Sequence, residues 1–139
     1  MVMKTKKICL LIDDDDDDQL IFSTAINKYF PDYTFEKAYN FEETIQFISK
    51  INDDELSRLI IFLDLNMPKI NGKECLTYFK KNERLKGVEI IIYSTSNNPT
   101  DKKECLVLGA KDFITKPSKI SALVEELSVF LDKYEVTSR

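Results

Sequence analysis

The chain has 139 residues, a formal net charge of −4 and no histidine. Without histidine there is no Ser-His-Asp or Cys-His relay, no His-ligated zinc and no phosphohistidine, so any phosphate or acid–base chemistry rests on carboxylates, lysines and hydroxyls. At 43% apolar and 32% charged residues the chain can bury a core and is too apolar for disorder, and its length predicts one domain over residues 1–139.

Residues 1–60 hold 7 basic and 13 acidic side chains and residues 61–139 hold 13 and 11, so neither half has the basic surplus of a nucleic-acid binder. Cys9, Cys75 and Cys105 are far apart and form no CxxC pair; they read as small core residues in a reducing compartment. No apolar run approaches the roughly 18 residues of a membrane span, and no signal-peptide pattern opens the chain. The expectation is a cytoplasmic protein without membrane contact.

Residues 7–12 (KICLLI) form a short apolar run, as expected of a strand covered on both faces. Leu20, Ile21, Ala25, Ile26 and Tyr29 then recur at helical spacing over 19–30, and Pro31 ends that helix. Residues 33–38 read as a weaker strand near an edge, 41–50 as a helix, 52–58 as a polar connection and 59–63 (LIIFL) as a buried strand. A loop at 66–72 leads to a helix over 73–81, and 88–93 (VEIIIY) is the next strand. Asn98 caps a helix that has Pro99 at its first position and Gly109 just past its end. Residues 112–115 form a short strand, Ser118 caps a last helix reaching about residue 134, and 135–139 is a tail expected to fray. Five strands alternating with five helices predict right-handed βαβ crossovers and a parallel sheet with helices on both faces.

In such a sheet ligands bind beyond the carboxyl ends of the strands. There the sequence puts Asp13 and Asp14, Asp64, then Ser94, Thr95 and Ser96, and lastly Lys116 and Pro117. Clustered carboxylates repel one another and call for a cation; oxygen ligands with positions left for water suit Mg²⁺, and the lysine and hydroxyl suit phosphoryl oxygens. The six-aspartate run at 13–18 offers many candidates, and the end of the apolar run at Ile12 selects the first two. Asp15 begins the loop. Asp16, Asp17 and Asp18 fall at a helix start, where capping and the helix dipole account for them, though they also enlarge the negative field.

The aspartate pair after LLI, the segment FLDLNMPKINGKE, the hydroxyl after IIIY and LGAKDFITKP, with 30 positions from Asp64 to Ser94 and 22 from Ser94 to Lys116, resemble the receiver domains of two-component response regulators. The likeness, to the chemotaxis response regulator in particular, covers about residues 6–131. It implies a flavodoxin-like, doubly wound five-stranded parallel sheet of order 2-1-3-4-5. It further implies that Asp64 is the phosphoacceptor, that Asp14 binds Mg²⁺ directly and Asp13 through water, and that Asn66 lends the metal its backbone carbonyl. Ser94 and Lys116 would hold the phosphoryl group, Phe113 would be the aromatic that rotates on activation, and Pro117 would follow a cis peptide bond. Asn66, Thr95 and Ser96 occupy positions that tune access and dephosphorylation; neither Asn66 nor Ser96 is acidic, and Thr95 is branched where many members are smaller. Gln19 stands where a basic residue is frequent, with no consequence derivable from sequence.

The function so implied is that of a stand-alone receiver. A sensor histidine kinase or a histidine phosphotransfer protein phosphorylates it, and a downstream protein binds the face made by the fourth predicted helix, the fifth strand and the fifth helix. It is a self-modifying switch and not a turnover enzyme. The alternative is a receiver-shaped interaction module that is never phosphorylated. A haloacid-dehalogenase-like phosphatase fits poorly, because Asn66 stands where that chemistry wants a second aspartate. An FMN binder fits poorly too, because the first turn is all aspartate where a phosphate cradle should be.

Overall fold

The computed structural model describes residues 6–137, with side chains through Leu131. Five parallel strands, β1 (Lys7–Ile12), β2 (Tyr33–Ala38), β3 (Leu59–Leu63), β4 (Glu89–Ser94) and β5 (Asp112–Thr115), form one sheet in the order β2-β1-β3-β4-β5. Six helices connect and follow them: α1 (Asp16–Tyr29), α2 (Phe41–Lys50), α3 (Asp53–Ser57), α4 (Gly72–Lys81), α5 (Pro99–Leu108) and α6 (Ile120–Thr137).

Alternate residues of the central strands feed two cores. Leu10, Ile12, Ile61 and Leu63 pack with Ile48, Leu76, Phe79 and Cys105 on the α2, α4 and α5 side. Cys9, Leu11, Ile60 and Phe62 pack with Phe22, Ile26, Leu123 and Leu127 on the α1 and α6 side. Both faces are therefore dry, which is why β3 throughout and β1 after Lys7 are apolar at every position instead of alternating. The three cysteines are free and buried, and burial pushes the Cys75 thiol up to about 11.

Several boundaries differ from the sequence reading. Helix α1 starts at Asp16, three residues early, because Asp15 serves as N-cap and its carboxylate accepts the Asp18 N–H at 3.0 Å. Three aspartates then occupy the first turn, where the helix dipole favours them. The expected polar connection at 52–58 contains α3, opened by a capping box in which Asn52 accepts the Glu55 N–H and Glu55 accepts the Asn52 N–H. Strand β4 ends one residue later than expected, which brings Ser94 into the sheet. Ser118 is not the cap of α6: the Lys119 carbonyl accepts the Leu123 N–H, so the helix begins beyond it. That helix runs to Thr137, three residues past its expected end, and residues 138–139 of the expected tail lie outside the described residues.

Candidate functional site

The carboxyl ends of β1, β3, β4 and β5 meet along one edge. Asp13 follows β1 and is fully buried; its N–H donates to the Ala38 carbonyl at 3.0 Å and its Oδ1 accepts the Asp15 N–H at 3.0 Å. Asp64 follows β3, is 3% exposed, and donates its N–H to the Ile12 carbonyl at 2.9 Å. Asp14 is exposed, and oxygens from Asp13, Asp14 and Asp64 lie within 4.8 Å of one another. Ser94 ends β4 and is buried; its Oγ accepts the Ser96 N–H at 3.2 Å. Lys116 follows β5, and its N–H donates to the Ser94 carbonyl at 2.7 Å. The Lys116 Nζ, on a side chain 8% exposed, lies 2.7 Å from Asp18 Oδ2, 2.8 Å from Asp13 Oδ2 and 3.5 Å from Asp64 Oδ1.

Negative charge is in excess here. Burial pushes the Asp13 carboxyl up to about 6 against the opposing Lys116 and Asp15 N–H bonds, and the neighbouring Asp64 adds to the rise. Burial likewise raises Asp64, opposed by Lys116 and the Asn66 backbone N–H. Burial works to discharge Lys116, but the bonds to Asp13 and Asp18 and the charge of Asp64 hold it firmly protonated. One ammonium cannot neutralise three buried or half-buried carboxylates. The oxygen donor set of Asp13, Asp14 and Asp64 fits a hard divalent cation that keeps part of its water shell.

Residues 9–128 match the response regulator receiver domain. The chain belongs to the response regulator receiver family. Among its relatives, the two-component response regulator ARR17 of Arabidopsis thaliana is 40% identical over 72 residues, 52% of this chain and 46% of that protein. The hybrid signal transduction histidine kinase C of Dictyostelium discoideum is 41% identical over 76 residues, 50% of this chain and 6% of that protein. This receiver thus spans less than half the length of either relative. Among solved structures, the Mn(2+)-bound response regulator Rcp1 superposes with a TM-score of 0.71 at 25% identity, covering 86% of this chain and 88% of that one.

The receiver brings Asp13, Asp14, Asp64, Ser94 and Lys116 together as expected. Phe113 pairs in register with Ile92, two residues before Ser94 on β4, and lies half-buried on the α2, α4 and α5 side. Asn66 and Thr95 are exposed beside the site. Ser96 is tied down: its Oγ donates to Asp101 Oδ2 at 2.7 Å and its carbonyl accepts Thr115 Oγ1 at 3.3 Å. Pro117 is a correction. Among the described residues no peptide bond is cis, so the Lys116–Pro117 bond is trans. Trans is the default for X–Pro by about 0.5–1 kcal/mol, and with it Lys116 already pairs its backbone with Ser94 and its ammonium with Asp13 and Asp18.

Three residues of the site escaped the sequence reading. Gln19 does have a consequence: its Nε2 lies 3.0–3.1 Å from the carbonyls of Leu11, Asp13 and Ala38, pinning α1 to the ends of β1 and β2. Asp18 does more than cap, since it is a direct partner of Lys116. Its i, i+4 relation to the buried Phe22 was the available signal. Gly72 opens α4 so close to the acceptor strand that a Cβ there would stand 2.3 Å from the Asp64 carbonyl oxygen. The Asn71–Gly72 pair reads as a turn, which hides that approach.

Proposed function

We propose that this receiver is a phosphoacceptor switch that takes a phosphoryl group onto Asp64 from a phosphohistidine of a sensor kinase or histidine phosphotransfer protein. The observation that carries the reading is the convergence of buried Asp64 with Asp13, Asp14 and Lys116 at one sheet edge. The Asp64 carboxylate oxygen attacks phosphorus in line; the P–N bond breaks and its electron pair leaves with the imidazole nitrogen. Asp13, Asp14, Asp64 and the Asn66 carbonyl would hold Mg²⁺, which supplies charge neutralisation at the phosphoryl oxygens. The manganese in the Rcp1 structure supports a divalent cation. Lys116 and the Ser94 hydroxyl take the remaining oxygens.

The product stays on the protein's own side chain, so the receiver is a switch and not a turnover enzyme. Ser94 moving toward the new charge, with Phe113 following it, would remodel the face formed by α5, β5 and α6, where a downstream protein binds. A cytoplasmic location belongs to the same reading, supported by the three buried free cysteines. Among the described residues no helix is long and apolar enough to cross a membrane.

The test is intact-protein mass spectrometry after incubation with Mg²⁺ and acetyl phosphate. The wild type gains one base-labile phosphoryl group, and Asp64→Asn gains none at that site. Equal labelling of both would overturn the assignment of Asp64 as acceptor, and labelling of neither would leave the phosphorylation-independent module as the better account.

A further inference from the structure

Lys116 has one positive charge and three carboxylates competing for it. The shortest contact, 2.7 Å, goes to Asp18 and not to the acceptor Asp64, which stands at 3.5 Å. Asp18 is not a member of the metal-competent cluster, whose carboxylates are Asp13, Asp14 and Asp64. Its charge is therefore addressed to the lysine.

The placement of Asp18 is built in. Its backbone N–H is held by the Asp15 carboxylate, and the next residue, Gln19, anchors the helix start to three carbonyls of the sheet. The Lys116 side chain of the Lys116–Asp18 pair is 8% exposed and that of Asp18 28%, whereas the cations of Arg58–Asp54, Lys73–Asp101, Arg84–Asp53 and Lys86–Glu83 are 23%, 33%, 37% and 59% exposed. Solvent screening is correspondingly weaker for the Lys116–Asp18 pair. The neighbouring Asp17 is exposed and takes no part.

We propose that Asp18 is a positioning residue for phosphoryl capture: it holds the Lys116 ammonium on the α1 side of the site, and this pair must open before Lys116 can engage a group on Asp64. The proposal rests on the reading of Asp64 as acceptor. A phosphoryl group carries about −1.5 to −2 charges against the single charge of Asp18, so the ammonium crosses once the group is present. Asp18 thereby sets how strongly the resting site accepts a phosphoryl-like ligand.

The experiment measures the affinity of the full chain for beryllofluoride in the presence of Mg²⁺. The variants are Asp18→Asn, Asp18→Ser, Asp18→Glu and Asp17→Asn, with amide NMR spectra showing that each is folded. Asp17→Asn reports the loss of one nearby negative charge alone. Both neutral variants at 18 should bind about fivefold tighter than Asp17→Asn, the upper end for a partly exposed ion pair, and Asp18→Glu should return to the wild-type value. The Lys116 ammonium ¹⁵N resonance should move in Asp18→Asn and stay in place in Asp17→Asn before any beryllofluoride is added. Neutral variants that bind no tighter than Asp17→Asn, or weaker than wild type, overturn the proposal while the acceptor reading stands. A wild type that binds no beryllofluoride removes the acceptor reading and this inference with it.

Discussion

The two flanks of the site are held by different kinds of bond. On the β1–α1 flank, Asp13 and Gln19 are buried and tied to backbone groups at the ends of β1 and β2. On the β4–α5 flank, the loop after Ser94 is fastened by side chains nearer to water. Lys73 Nζ lies 2.7 Å from both Asp101 and Glu104, Asp101 accepts the Ser96 hydroxyl, and the Ser96 N–H reaches Ser94 Oγ. Buried bonds resist salt and move only when the fold moves; half-exposed ion pairs are screened and reorganise at small cost. The first flank therefore suits a fixed reaction site and the second a movable one. Gly72 and Lys73 sit at the junction, one against the Asp64 backbone and the other in the latch.

The strongest way to break the fixed flank is Gly72→Ala. The added Cβ would stand 2.3 Å from the Asp64 carbonyl oxygen and 2.6 Å from Leu65 Cα, so α4 must shift. Denaturant unfolding should show a loss of about 3 kcal/mol. A loss below about 1 kcal/mol would mean that α4 yields freely and that the flank is not rigid.

Asp13→Asn comes next. The Asp13 carboxyl rises from 3.8 to about 6 in the fold, so the neutral form is favoured there. The stability this gives is present below pH 4 and is lost as pH rises toward 6. At pH 7 the wild type holds a buried carboxylate that Asn would not, and in chelator the variant should be more stable by about 2 kcal/mol. The gap should close by pH 4. Urea titrations of both proteins across that range measure it, and a gap that widens on acidification contradicts the assignment.

Mg²⁺ should offset part of the same excess charge. At ten times its dissociation constant it should stabilise the wild type by about 1.4 kcal/mol, and chelation should remove that gain. Thermal melts of Asp14→Asn should show the gain lost, and those of Asp17→Asn should show it kept. The reverse pattern would move the metal pair along the aspartate run. The smallest effect belongs to the movable flank. Lys73→Met should leave global stability nearly unchanged yet speed amide exchange in residues 95–98 about two- to fivefold, and high salt should do the same to the wild type. Exchange that ignores both changes would show that the latch holds nothing.

Legibility in the sequence followed the same division. Asp13, Asp64, Ser94 and Lys116 each lie at the end of an apolar run, and strand alternation brings such ends to one edge, so the site was readable from the residues, while the strand order came only with the resemblance to receiver domains. Residues that a local rule already explained stayed hidden. Asp18 read as one of six aspartates at a helix start, and Gly72 as half of a turn. A five-residue helix such as α3 buries only Leu56, which leaves no period to detect, although its Asn52–Glu55 capping box was in view. The Lys116–Pro117 bond, expected cis, is trans, because isomer choice depends on three-dimensional surroundings and not on the motif. The latch from Lys73 to Asp101 joins residues 28 positions apart, a pairing no local pattern announces.

The central claim is that a group on Asp64 meets a fixed flank and moves the other. Backbone amide NMR during titration with Mg²⁺ and beryllofluoride tests it most directly. Large shifts are predicted at Asp64 to Asn66, in residues 94–101 and at Phe113, with the amides of Gln19 and of strand β1 before Asp13 nearly unmoved. An unchanged spectrum, or shifts confined to β1 and α1 while residues 94–101 stay still, would contradict it.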